Sequence, residues 1–106
     1  MKEITRVNHI GLRVSDFETS RDFYAKPGFR YVTGPGGPEP VAIIEHPNGI
    51  NINLILNADQ NDNTNVLMDI STRHTSYTHI AIEVTDIAAV VKQLSALDIP
   101  LSEGPG

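Results

Sequence analysis

The sequence predicts an α+β chain built from a repeated strand, helix and three-strand unit, βαβββ, whose second copy is cut short after its strand and helix. Three observations carry that expectation. Asn8-His9-Ile10-Gly11-Leu12-Arg13-Val14-Ser15-Asp16 is echoed seventy positions later by Thr78-His79-Ile80-Ala81-Ile82-Glu83-Val84-Thr85-Asp86. Each frame alternates in polarity and passes through a hydroxyl residue and an aspartate into a run with helical spacing. Asn48-Gly49, between two apolar runs, marks a hairpin, because both central positions of a tight two-residue turn take positive φ.

In the first frame Ile10, Leu12 and Val14 fall on one face of a strand and His9, Gly11 and Arg13 on the other. Ser15-Asp16-Phe17-Glu18 has the spacing of a capping box, with Ser15 as the cap and Glu18 reaching back. The helix it opens carries an apolar stripe of Phe17, Phe23 and Tyr24 and ends before Pro27-Gly28. Residues 29–33 read as a second strand. Residues 34–40, rich in glycine and proline, read as a surface loop, because proline has no amide donor for a sheet ladder. Residues 41–46 and 50–56 follow as strands. A two-residue turn at Asn48-Gly49 would set His46 opposite Asn51 and Ile44 opposite Asn53, on one shared face.

Residues 57–65 are dense in asparagine and aspartate and read as a solvated linker. Ile80, Ile82 and Val84 then alternate against His79, Ala81 and Glu83, and Thr85 is placed to cap a helix bearing Ile87, Val90, Val91, Leu94 and Leu97. Asp98-Ile99-Pro100 closes it. The expected organisation is a single domain, with module one at 7–56, a linker at 57–76 and a partial module two at 77–106. Five residues follow Leu101, where three further strands would belong if the second unit matched the first.

Composition narrows the function. The formal net charge is -5 and no basic cluster exists, whereas a nucleic-acid surface needs lysines and arginines gathered on one face. Cysteine is absent, so any metal must be held by nitrogen and oxygen, from four histidines and thirteen carboxylates. The N-terminus lacks the apolar core of a signal peptide, and no run approaches the roughly 18–20 apolar residues of a membrane span. A soluble, cytoplasmic protein with no nucleic-acid or membrane partner is the expectation.

In each unit the wholly apolar strand face must be the one the helix covers, so His9 and His79 look away from it. Each stands two residues before a small side chain, Gly11 or Ala81, which leaves room beside the imidazole. Two repeats related by a pseudo-twofold would bring these faces together around a cavity. Each histidine reads either as a polar residue on a sheet surface or as a ligand for a divalent metal. Asn51, Asn53 and His46 read either as the polar end of a hairpin or as hydrogen-bonding groups of the cavity. Arg13 and Glu83 occupy one repeat position with opposite charge, fitting a solvated rim pair or a substrate anchor. His74 reads as exposed.

These residues resemble the vicinal oxygen chelate superfamily, which holds glyoxalase I, bleomycin-resistance proteins, fosfomycin-resistance enzymes and extradiol dioxygenases. The resemblance rests on residues 8–16, on Arg21-Asp22-Phe23-Tyr24 with Gly28-Phe29, and on residues 78–84, and it spans nearly the whole chain. It implies paired, glyoxalase-like βαβββ modules with a sheet cupped around a divalent metal, in a homodimer, strand exchange being one mode of dimerisation. His9 matches the family's first-module metal histidine and His79 its second-module counterpart. Asn53 falls where the glyoxalase I branch places glutamate or glutamine, and an asparagine is a neutral, poorer ligand. The family's final glutamate follows an Asp-Pro-x-Gly-Asn turn that this sequence does not contain, and Glu103 stands too early to replace it.

Two main functions follow from the resemblance. One is a metal-dependent lyase of the glyoxalase type, or a related dioxygenase, using zinc, nickel, manganese or iron(II) on a small oxygenated substrate. There the metal would act as a Lewis acid and a carboxylate would move the proton. The other is a metal-free binding protein of the bleomycin-resistance type, which holds a small-molecule ligand without reaction. An inactive remnant, stabilised by dimerisation, is a third.

Overall fold

The structure, a computed structural model, describes residues 1–102. Glu103 lies outside the described residues. The chain forms two compact units, Met1–Asn65 and Val66–Gly106.

In the first unit β1 (Ile10–Arg13) leads into α1 (Phe17–Ala25), followed by β2 (Arg30–Gly36), β3 (Val41–Glu45) and β4 (Asn51–Ile55). The four strands form one sheet in the order β1-β4-β3-β2, with β1 parallel to β4 and the other pairs antiparallel. This is the βαβββ module that the repeat predicts. Period-two alternation sorts its side chains. Ala42 and Ile44 of β3, Ile52 and Leu54 of β4, and Phe29 are buried, with Leu12, Val14, Phe17, Tyr24, Ile50 and Leu56 packed against them. Burying an isoleucine or leucine side chain in this way contributes about 1.5–3 kcal/mol, so these few residues dominate the unit's stability.

Helix α1 is capped one residue later than the capping-box spacing predicts. Asp16, in extended conformation, accepts from the Thr19 amide at 3.0 Å and from the Thr19 hydroxyl. An ionised carboxylate is a stronger acceptor than the Ser15 hydroxyl and its charge suits the positive end of the helix, so Asp16 takes the cap. Phe17 and Tyr24 face the core, whereas Phe23, 47% exposed, lies outside the stripe expected of it and meets the Tyr24 ring edge-on.

Strand β2 runs through Gly36 and so takes in the first part of the segment expected as a loop. It lies at the sheet edge, where a proline costs no ladder bond on the open side, and its register against β3 slips twice, between Tyr31 and Thr33 and between Thr33 and Gly36. Gly34, at φ +98°, passes so close to β3 that a Cβ there would stand 2.3 Å from the Val41 carbonyl oxygen.

The β3–β4 hairpin is one residue longer at its turn than the Asn48-Gly49 signal implies. The His46 amide donates to the Ile50 carbonyl at 2.8 Å and the Gly49 amide to the His46 carbonyl at 2.9 Å, so Pro47, Asn48 and Gly49 form the turn, with Gly49 at φ +90°. Three-residue hairpin loops end in such a left-handed residue. The resulting register sets Glu45 against Asn51, Ile44 against Ile52 and Ile43 against Asn53.

The second unit contains α2 (Ile87–Ala96), capped by Asp86 rather than Thr85, with the Asp86 carboxylate accepting from the Ala89 amide at 3.1 Å. Val90, Val91, Leu94 and Leu97 are half-buried, while Ile87 is 59% exposed. Residues 78–84 run without strand pairing, contrary to the strand expected there. A strand is defined by its ladder, and among the described residues this unit offers no second strand to pair with it.

Candidate functional site: the open face of the sheet

The parallel β1–β4 register pairs Gly11 with Asn53 and Arg13 with Ile55. With the β3–β4 register this gives a face, opposite the core, made of Gly11 and Arg13 on β1, Asn51, Asn53 and Ile55 on β4, and Val41, Ile43 and Glu45 on β3. The β3 and β4 members are half-buried. Gly11 forms its lowest point, where an added Cβ would stand 3.5 Å from the Ile55 Cδ1 methyl. Asn53 thus sits among Ile43 and Ile55 beside a gap in the side-chain layer, while Asn51 has the Glu45 carboxylate across from it.

Asn51 donates from Nδ2 to the Asn8 carbonyl at 3.3 Å, which ties the start of β4 to the segment entering β1. His9, exposed and immediately before β1, belongs by alternation with Gly11 and Arg13. Its Nδ1 lies 2.9 Å from the Asn8 Oδ1. In the second unit the exposed His79 Nδ1 lies 2.8 Å from the Thr78 hydroxyl. In both frames the side chain of the preceding residue is the hydrogen-bond partner of Nδ1. Single-residue reading of the sequence missed this shared device, although Asn8 and Thr78 hold equivalent repeat positions.

Arg13 does not project over Asn53. Its Nε donates to the Asn57 Oδ1 at 2.8 Å and its guanidinium stands 4.0 Å from Glu39, while Asn57 donates to the same Glu39 carboxylate at 3.4 Å. This exposed triangle ties the ends of β1 and β4 to the turn between β2 and β3. Arg13 also borders a hollow of about 310 Å³ lined by Ser15, Asp16, Thr19, Asp59, Asp62 and Thr64 among others. There the Thr64 hydroxyl and amide hold the Asp62 carboxyl below its ordinary pKa, as those of Thr19 do for Asp16. The segment 57–65, a solvated linker by composition, carries these turns within its run of asparagine and aspartate. Glu83 is exposed in the second unit.

His46 does not lie beside Asn51 and Asn53. The extra turn residue shifts the register by one and moves every β3 side chain to the other face. His46 packs against the Phe29 ring with centroids 5.4 Å apart and accepts the Asn48 amide on Nδ1 at 3.2 Å. It completes the core edge and leaves the open face.

The donor chemistry can be compared with a divalent metal. Among the described residues, no three histidine or carboxylate groups gather closely enough to hold an ion. The open face of the first unit offers the His9 imidazole, two neutral amides and one carboxylate, Glu45, which stands 3.9 Å from the Arg30 guanidinium, and hard or borderline cations at N/O sites favour anionic oxygen over an amide. The residues of this face do not fit a resident metal by themselves.

The chain matches the family model described as the Glyoxalase/Bleomycin resistance protein/Dioxygenase superfamily over residues 6–106. No curated protein matches it. Among solved structures it is similar to the crystal structure of SMU.1112c, with a TM-score of 0.69 and 22% identity, over 91% of this chain and 77% of that one. That likeness shows a shared fold. With the family model spanning almost all of the sequence, and a βαβββ module beneath it, the chain belongs to the glyoxalase/bleomycin resistance protein/dioxygenase superfamily.

Proposed function

We propose that this chain is a metal-free small-molecule-binding protein of the bleomycin-resistance type, acting in the cytoplasm, with the open face of the sheet as its ligand floor. The observation that carries this reading is the make-up of that face. Asn53 stands across from Gly11 with Ile43 and Ile55 beside it, so a ligand would meet amide donors and acceptors and apolar flanks. Such a surface suits an uncharged, oxygenated molecule. Each neutral hydrogen bond contributes about 0.5–1.5 kcal/mol net, and burial of the flanking isoleucines adds to it. A shallow face needs a cover to enclose a ligand, and a homodimer supplies one. Among the described residues no helix is long and apolar enough to cross a membrane.

A panel of uncharged oxygenated compounds, scored by thermal shift without added metal, tests the reading. Compounds that stabilise the wild type should lose that effect with Asn53→Leu. Stabilisation that appears only when metal is supplied would overturn it.

A second reading, a metal-dependent lyase or dioxygenase of the glyoxalase type, is favoured by the matched Nδ1 contacts of His9 and His79. Metal-ligating histidines are commonly oriented in this way, with the other ring nitrogen left free to coordinate. It requires an assembly that presents both imidazoles to one ion together with a carboxylate.

A further inference from the structure

We propose that Asn48 is a site of spontaneous deamidation, and that the β3–β4 turn both selects and slows the reaction. Asn48 is the asparagine in this chain that is followed by glycine; the others precede histidine, isoleucine, leucine, alanine, aspartate, threonine or valine. Intramolecular attack on an asparagine side chain needs the next residue's amide nitrogen to approach Cγ, and a side chain on that residue obstructs it. At Gly49 nothing lies within 4 Å of where a Cβ would stand, and Asn48 is exposed at the tip of the turn.

The reaction balances without any oxidant or cofactor. Solvent base takes the proton of the Gly49 amide, and that nitrogen forms a bond to Asn48 Cγ. The Cγ–Nδ2 bond breaks and ammonia leaves. Water then opens the cyclic imide, yielding aspartate if the Cγ–N bond breaks and isoaspartate if the main-chain carbonyl–N bond breaks. The sum is amide plus water to carboxylic acid plus ammonia.

The folded turn restrains the first step. The Gly49 amide proton is engaged with the His46 carbonyl at 2.9 Å, and the Asn48 amide with the His46 Nδ1 at 3.2 Å, so the nucleophile must leave its turn bond before it can react. The product matters for the sheet. Isoaspartate adds a main-chain methylene to a three-residue turn whose length sets Glu45 against Asn51 and Ile43 against Asn53. Hairpin register follows loop length, so the change acts on the strand that carries both open-face amides.

Incubating the full folded chain at neutral and mildly alkaline pH, with peptide mass mapping and isoaspartyl methyltransferase labelling, tests the proposal. The peptide spanning Asn48 should gain mass and label faster as pH rises, and Asn48→Gln should silence it. Unfolding in urea should accelerate the conversion. Peptide-level localisation in the wild type keeps the test valid even if the variant folds poorly. Label confined to another residue, or none at Asn48 under alkaline incubation, would overturn the site. Equal rates in folded and unfolded chains would overturn the restraint by the turn.

Discussion

Gly11 and Asn53 face one another across the parallel ladder between β1 and β4, and the space a side chain at position 11 would fill is bounded by the Ile55 methyl. A Cβ there meets the Ile55 methyl at an ordinary van der Waals distance, and valine suits a strand better than glycine does. Gly11→Val should therefore leave the melting temperature unchanged or slightly raised, while abolishing ligand-induced thermal shift. Retained ligand response would move the binding floor away from Asn53.

The two faces of β3 and β4 should respond differently to truncation. Leu54 has 0% exposure, so Leu54→Ala should cost about 2–5 kcal/mol in urea denaturation, a large share of a small domain's stability. Ile43, half-buried on the open face, should cost clearly less on truncation to alanine. Equal losses would mean that the open face is as tightly packed as the core.

Acid should weaken the first unit through Asp16. The Thr19 hydroxyl, then the Thr19 amide, hold its carboxyl below the ordinary value of 3.8. A group with a lowered folded pKa is protonated more readily in the unfolded chain. Its contribution is therefore complete above the unfolded value and is lost as pH falls through the folded one. Asp16→Ala should lower the urea midpoint near neutral pH, and the gap to wild type should close as pH drops below the ordinary carboxylate range. A gap that persists at low pH would show that the cap does not depend on charge.

Most of the module was legible in the sequence because alternation and helical spacing register burial directly: Ile10, Leu12 and Val14 mark the covered face of β1 by pattern alone, whereas Ile44, read opposite Asn53, pairs with Ile52 in the core. Three features were not. The cap moved from Ser15 to Asp16 because adjacent residues competed for the same amides, and spacing cannot rank acceptors. The register at Asn48-Gly49 slipped by one because that dipeptide fits both two- and three-residue turns, and the slip carried His46 from the open face to the core edge. The segment 78–84 has the alternation of a strand, yet pairing depends on a neighbour that local pattern does not supply. Of the site residues, Asn51 and Asn53 fall on one face by parity, whereas Gly11's place across from Asn53 needed the β1–β4 register and the Arg13–Asn57–Glu39 triangle needed three-dimensional contacts to be seen.

Asn53→Glu separates the two functional readings at one position. It puts a carboxylate where the resemblance to glyoxalase I places a metal ligand. If His9 and His79 come to one ion in the assembled protein, the variant should tighten zinc binding by about tenfold or more, equivalent to about 1.4 kcal/mol or more. On the binding-protein reading it should gain no such affinity and should lose the neutral ligand, as measured by calorimetric titration.

The most direct test of the central claim is the metal content of the purified full chain after exposure to zinc, nickel, manganese and iron(II) followed by dialysis. A metal-free binding face predicts far less than one equivalent per chain for each ion, unchanged in His9→Ala. A stoichiometric metal that dialysis does not remove, and that His9→Ala or His79→Ala abolishes, would contradict it.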